Sequence, residues 1–401
     1  MTESNSAQPA NPKGAKLPQR DWILLPTIGL LTICLLLGST ELIARRMLTK
    51  SNTGGEDCMV FHDPSNGPRG IPNSVCWEKI PEGKLTEYRF NSSGFRNDFN
   101  FGPKAPGTYR IVMIGTSDAG GFRVPQSQTF GTLLPVELSQ LTGRRIELYN
   151  EGLPWRSPDM IALHFDAVLA THPDLIFWVL SPMDIERTSW DVQPDEARAL
   201  NLKGRALYHI RAALEAKSLS ASLAEIFSHA RTATLLKDLL YKSRSQYVKS
   251  SLIGADDKTG FLKKHPSLEW QERLEAFDKS AAKIEAQARD GGIPLVAVLL
   301  PDRTEVAMVA MMGEKPKGFD PYKLDDELRS IIVSRGETYI DILPGFRTIP
   351  DPQLGYYAID GHPNPDGHAT IARFMARALT DGSVPALKAA AQPRAALEQS
   401  R

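Results

Sequence analysis

Three residues in this chain have the types and surroundings needed to activate a hydroxyl group. Ser117 closes the run RIVMIGT (residues 110–116) and is followed by Asp118-Ala119-Gly120-Gly121. A serine at a sharp strand-to-helix turn presents its hydroxyl at a sheet edge, with backbone N–H groups beside it to hold an oxyanion. Far downstream, Asp360 and His362 lie two apart in Asp360-Gly361-His362-Pro363-Asn364. In an extended loop that spacing sends both side chains to one side. The imidazole can then take the serine proton while the carboxylate fixes its tautomer. Taken alone, Gly115-Thr116-Ser117-Asp118 is also an ordinary turn that stops a strand. Asp360, His362, Asp366 and His368 all carry groups that ligate divalent ions. The stretch Pro363–Gly367 nevertheless reads as a turn entering a helix, with His368 at its start, and no metal site is expected.

Such residues need a sheet to hold them. Short β-rich apolar runs occur at Ile111–Ile114, Ile146–Tyr149, Leu175–Leu180, Leu295–Leu300 and Tyr339–Leu343. Helical spacing of apolar residues fills the intervals at Gln128–Leu141, Pro158–Ala170, Leu268–Ala288, Leu324–Ser334 and Ala369–Leu379. LIFWVL (175–180) is continuously apolar, as a strand buried on both faces should be. The alternation predicts an α/β fold: a doubly wound, flavodoxin-like sheet of five parallel strands. Residues 191–265 read as helices without a strand and are taken as a helical insertion, its basic residues Lys237, Lys242, Arg244 and Lys249 on a solvated face. Ligands of open parallel sheets bind beyond the carboxyl ends of the strands. That adds Asn150-Glu151-Gly152 and Ser181-Pro182-Met183-Asp184 to the candidate residues.

In order and spacing these blocks resemble the SGNH/GDSL hydrolase superfamily, in particular its membrane-anchored bacterial branch, over roughly residues 91–380. The resemblance implies Ser117 as nucleophile, His362 as general base, Asp360 as its orienter and Gly152 as an oxyanion N–H donor, with no cofactor. Two positions depart from the pattern. Thr116 stands where the family has the aspartate of Gly-Asp-Ser, a residue that supports the turn. Met183 stands where the third block places an oxyanion-hole asparagine. A thioether cannot donate a hydrogen bond, and loss of one such donor costs about 100- to 1000-fold in turnover. Asn150, two residues before Gly152 on a strand, is the candidate substitute. The reaction implied is cleavage of acyl esters, including O-acetyl groups on a glycan, through an acyl-serine. The alternatives are O-acyl transfer to an exported polysaccharide, and an inactive binding or scaffold module.

Composition restricts the setting. The 401 residues carry 47 basic and 47 acidic side chains, so no global field attracts nucleic acid. A mean hydropathy of -0.26 excludes a multi-pass membrane protein. Trp22–Thr40 is uncharged and, at about 1.5 Å per residue, long enough for a hydrocarbon core of about 30 Å. Residues 22–44 are read as a transmembrane signal anchor after a disordered cytoplasmic tail (1–21). A cleavable signal peptide fits less well, because Glu41, Arg45 and Arg46 fall where small residues should be. Cys58 and Cys76 bracket a Gly/Pro/Asn-rich loop in the juxtamembrane segment 45–105. A disulfide there would pin a loop that lacks core-forming periodicity, and it would place the hydrolase-like domain (106–385) outside the cytoplasm. The expected location is a bacterial inner membrane, single-pass, with the domain periplasmic and a loose tail over 386–401.

Overall fold

In the computed structural model, residues 20–48, 54–61, 67–186, 230–253, 259–311 and 316–389 are described. The chain enters through helix α1 (Asp21–Met47), 27 residues whose apolar side chains are almost all exposed. Helix α1 is long and apolar enough to cross a membrane. Two small antiparallel pairs follow: β1 (Met59–Val60) with β2 (Arg69–Gly70), and β3 (Val75–Glu78) with β4 (Thr86–Arg89). Next come β5 (Thr108–Gly115), α2 (Phe130–Thr142), β6 (Arg145–Asn150), α3 (Pro158–Leu163), α4 (Phe165–Ala170) and β7 (Leu175–Leu180). Beyond α5 (Pro182–Glu186) lie α6 (Arg231–Tyr241) and α7 (Arg244–Ile253). The chain continues through α8 (Leu268–Asp290), β8 (Leu295–Leu299), α9 (Arg303–Val309), α10 (Lys323–Val333), β9 (Thr338–Ile340) and α11 (Pro365–Thr380).

Strands β5 to β9 form one parallel five-stranded sheet in the order β6-β5-β7-β8-β9, with helices on both faces, so the protein is α/β. The period of two along each strand sorts its side chains between two cores. Ile111, Met113, Phe177 and Val179 join α2 and α11 residues such as Phe130, Leu134, Ile371 and Met375 on one face. Val112, Ile114, Trp178 and Leu180 join α8 and α10 residues such as Phe277, Ile284 and Leu328 on the other. From β5 the chain moves outward to β6, then crosses back to β7 on the opposite side of β5. That reversal is the topological switch point of the sheet, and Ser117 lies just beyond it at the carboxyl end of β5.

Several local expectations are corrected. The helix expected over 158–170 is two short helices, because His164 (φ -108°, ψ 20°) leaves helical geometry. Helix α11 starts four residues earlier than its apolar spacing suggests. The Asn364 side chain accepts the N–H groups of Asp366 and Gly367, and Pro365 occupies the first helical position, where its missing N–H costs nothing. Much of the helical insertion (187–229 and 254–258) lies outside the described residues, as do residues 1–19 and 390–401. The described part is docked rather than solvated at Arg244: its guanidinium donates to Asp351 (2.8 Å) and to the Ala310 carbonyl (2.9 Å). Glu41, late in α1, accepts the N–H groups of Arg231 and Thr232 (both 3.0 Å), which begin α6. Leu387, expected in the loose tail, is wholly buried.

The segment before β5 differs most from its expected character as a turn-rich spacer. Strand β3 alternates exposed Val75 and Trp77 with buried Cys76 and Glu78. Cys58 and Cys76 are joined as a disulfide, Cα–Cα 6.0 Å. They form a small core with Met59, Tyr88 and Phe90, which Phe122 and Leu153 complete from the sheet domain. Without those two borrowed residues the local pattern is too sparse to read as a core. Buried Arg96 stacks on Tyr88 (4.3 Å) and donates to the carbonyls of Gly121 and Val124, so this segment grips the chain just past Ser117.

Candidate functional site

Ser117 lies two residues beyond β5, in a turn that closes quickly. Gly120 N–H bonds back to the Thr116 carbonyl (3.0 Å), and Phe122 N–H to that of Ser117 (3.2 Å). The N–H groups of Ser117 and Asp118, at the start of this turn, make no backbone hydrogen bond among the described residues. The histidine comes from the loop that leads into α11. Ser117 Oγ is 3.0 Å from His362 Nε2, and His362 Nδ1 is 2.7 Å from Asp360 Oδ1. Asp360 Oδ1 also accepts the backbone N–H of His362 (3.3 Å). A carboxylate can only accept, so the proton belongs on Nδ1 and the Nε2 lone pair faces the serine hydroxyl. Gly361 (φ +89°) allows the chain to turn sharply between the two residues while both side chains remain on one side.

Electrostatics favour this arrangement. Burial pushes the His362 imidazole down, but the charges of Asp118 and Asp360 outweigh it and leave the group above its ordinary range. Burial pushes Asp360 up, yet the bond to His362 and the nearby Arg123 charge hold its carboxyl below the usual range. Asp118 itself is raised by burial, with His362 opposing. The base therefore faces an ionised orienter in Asp360, and both aspartates favour the imidazolium formed by proton transfer. Removing a hydroxyl proton within this geometry is general-base chemistry.

A second set of bonds fixes Asp360 from outside the sheet, through residues that did not stand out in the sequence. Arg123, held at φ +78°, donates from Nε to Asp360 Oδ2 (3.1 Å) and from the guanidinium to Glu78. Its backbone N–H donates to Tyr88 Oη (2.7 Å), which donates in turn to Glu78 Oε2 (2.8 Å). Glu82, in the loop between β3 and β4, accepts the N–H groups of Ile359 (2.9 Å) and Asp360 (3.0 Å). No spacing rule pairs residues 78, 82 and 123 with residue 360. The faint signal was a glutamate at an inward position of the alternating stretch Val75–Glu78.

The remaining candidates are placed differently. The single N–H of Gly152 donates to Asn150 Oδ1 (2.9 Å), and Asn150 Nδ2 donates to the Ala119 carbonyl (2.8 Å). These two residues brace the turn after Ser117, and the N–H of Gly152 is not open toward an oxyanion. Gly152 is required by close approach: a Cβ there would lie 2.4 Å from Gly120 N. Met183 is half-exposed in α5. Thr116 Oγ1 lies 3.3 Å from Ser181 Oγ, which donates to Asp184 Oδ2 (2.8 Å), so the ends of β5 and β7 are linked through hydroxyls. Burial pushes the Asp184 carboxyl up to about 7. His368 is buried away from the serine. Its Nδ1 accepts the Phe130 N–H (3.1 Å), and burial pushes it down to about 3. Among the described residues no group of three His, Cys, Asp or Glu is arranged to hold a metal ion.

No family model matches the chain, and no curated protein matches it. Among solved structures it is similar to a lipase from a goat rumen metagenome, at 10% identity over 67% of this chain and 97% of that one, TM-score 0.37. It is also similar to an acetyl xylan esterase, at 12% identity over 66% and 97% of the two chains, TM-score 0.35. A variant of an acetyl-xylooligosaccharide esterase from Geobacillus stearmophilus gives 11% identity over 68% and 94%, TM-score 0.35. At this identity no residue role transfers from them.

Proposed function

We propose that the protein is a serine-dependent ester hydrolase of SGNH/GDSL type, acting through an acyl-Ser117 intermediate. One observation carries this reading: the unbroken relay from Ser117 Oγ to His362 Nε2 and from Nδ1 to Asp360. In it, Ser117 attacks the ester carbonyl as His362 takes its proton. The same imidazolium returns the proton to the leaving alcohol, and water repeats the sequence to release the acid. The N–H groups at the start of the Ser117 turn would receive the oxyanion, since Met183 has no donor and the N–H of Gly152 is engaged by Asn150 Oδ1. The substrate class is an acyl ester, with O-acetyl groups on a glycan as the specific candidate. Helix α1 would anchor the chain in a bacterial inner membrane, with the remainder on the periplasmic side, where the Cys58–Cys76 bond would persist.

The test is fluorophosphonate labelling of the full-length protein in detergent. Stoichiometric labelling of the wild type, lost in Ser117→Ala and in His362→Ala, is the expected result. A folded wild type that resists labelling would sink the catalytic reading and leave a binding module. Release of acetate from an acetylated glycan, with and without a competing sugar acceptor, separates hydrolysis from acyl transfer.

A further inference from the structure

The residues that align the general base do not all belong to the sheet domain. The loop carrying Asp360 and His362 has little regular structure of its own. Tyr357 N–H bonds the His362 carbonyl (2.9 Å), and Gly361 N–H bonds the Tyr357 carbonyl (3.2 Å). Arg303 donates to the Ala358 carbonyl (2.7 Å) and Tyr357 Oη to that of Arg123 (3.1 Å), which hold the start of the loop; a tilt of the part beyond them changes the direction of the Asp360 carboxylate. Two groups from the β3–β4 hairpin oppose that tilt from different sides. Glu78 holds Arg123 against the Asp360 carboxylate. Glu82 takes one N–H with each carboxylate oxygen, from the two successive peptides that end at Asp360.

We infer that Glu82 is a positioning residue for the Ser117–His362–Asp360 relay: its carboxylate clamps the Ile359 and Asp360 peptides and so aims the orienting carboxylate at His362 Nδ1. This deepens the hydrolase reading and rests on it. A purely structural role is a poor account of Glu82. A half-buried carboxylate beside a second one, Asp360, is disfavoured by desolvation and by repulsion, as its raised pKa reflects. A carboxamide would lower that penalty but could accept only one of the two N–H groups. What a carboxylate adds is two equivalent acceptor oxygens in a fixed plane, matched to two parallel donors. Directional precision is what general-base catalysis needs, since a displacement of about 1 Å can cost about 100-fold.

The experiment compares wild type, Glu82→Ala and Glu82→Gln in the full-length protein. Fluorophosphonate inactivation rates, kcat and KM on p-nitrophenyl acetate, and thermal midpoints would be measured together. The expected result is a fall in kcat and in inactivation rate of about 10- to 100-fold in Glu82→Ala, with KM and the labelled fraction unchanged. Glu82→Gln, which keeps one acceptor and sets an NH2 against the other donor, should fall between. An unchanged rate would overturn the inference. So would a lower midpoint and labelled fraction with a normal rate per reactive serine, because that is a folding role. If the wild type does not react at all, the hydrolase reading fails by itself. The clamp is then read from the proton spectrum of 15N-histidine protein. Loss of a hydrogen-bonded His362 Nδ1–H signal in Glu82→Ala supports it, and retention of that signal overturns it.

Discussion

The parallel sheet and the β3–β4 hairpin face the same three residues, but different forces hold them. Strands β7 and β8 are apolar and buried at every position, and their faces pack against helices. The hairpin has four-residue strands, and the segment around it (residues 58–96) supplies a disulfide, two buried charged groups, Glu78 and Arg96, and a core of seven buried residues that includes two from the sheet domain. Apolar packing is non-directional, which suits a scaffold that only has to bring Ser117 to the end of the sheet. Hydrogen bonds to charged groups are directional and steep in distance. The part of the molecule that aims Asp360 uses those instead. Placement and aim are thus assigned to separate regions.

That division can be broken from either side. The largest effect should come from Trp178→Ala in β7, which empties a wholly buried indole between β7 and α8. It should destabilise the sheet by about 3–5 kcal/mol, so that denaturant midpoint and activity fall together. Replacing Cys58 and Cys76 by serine comes next. The loss of about 3 kcal/mol of loop restraint should fall on the hairpin, seen as faster proteolysis before residue 105 and lower turnover, while the sheet's own unfolding transition stays in place. Coincident loss of both would mean that the two regions are one cooperative unit. Asp118→Asn gives the smallest change and concerns electrostatics alone. His362 works as a base only when neutral, and the Asp118 charge favours its protonated form. The wild-type rate should therefore rise with pH through a midpoint above the ordinary imidazole value, and the variant's acid limb should move to lower pH. A limb that stays put would remove Asp118 from the account.

The sheet was legible because each strand carries its own signal. Continuous apolar runs such as Leu175–Leu180 and Leu295–Leu299 have no other stable home than a sheet covered on both faces. Ser117 and the Asp360–His362 pair were legible because strand ends and two-residue spacing are local facts. The hairpin was not, since Phe122 and Leu153 complete its core from outside the segment. Glu78, Glu82 and Arg123 escaped for a related reason: a charged residue looks alike in sequence whether it faces water or a carboxylate 237 residues away. Gly152 has a further requirement that was not legible, because it comes from the Ala119–Gly120 backbone beside it, a close approach that local sequence cannot express. Arg244 looked like one of several solvated cations until the 351–353 loop supplied its partner.

The distance along the chain between the nucleophile and its base also sets an order of events. Ser117 and His362 are separated by 245 residues, and β5, the strand that leads to Ser117, is the first of its sheet to be made. A growing polypeptide exposes the serine as an ordinary alcohol, and gains the imidazole of the proposed relay only 245 residues later. The Glu78 and Glu82 carboxylates, made earlier still, wait for a loop that follows every strand of the sheet. In the proposed hydrolase, reactivity is therefore deferred until the whole sheet has been made, and a chain truncated ahead of Asp360 carries the serine without the means to use it.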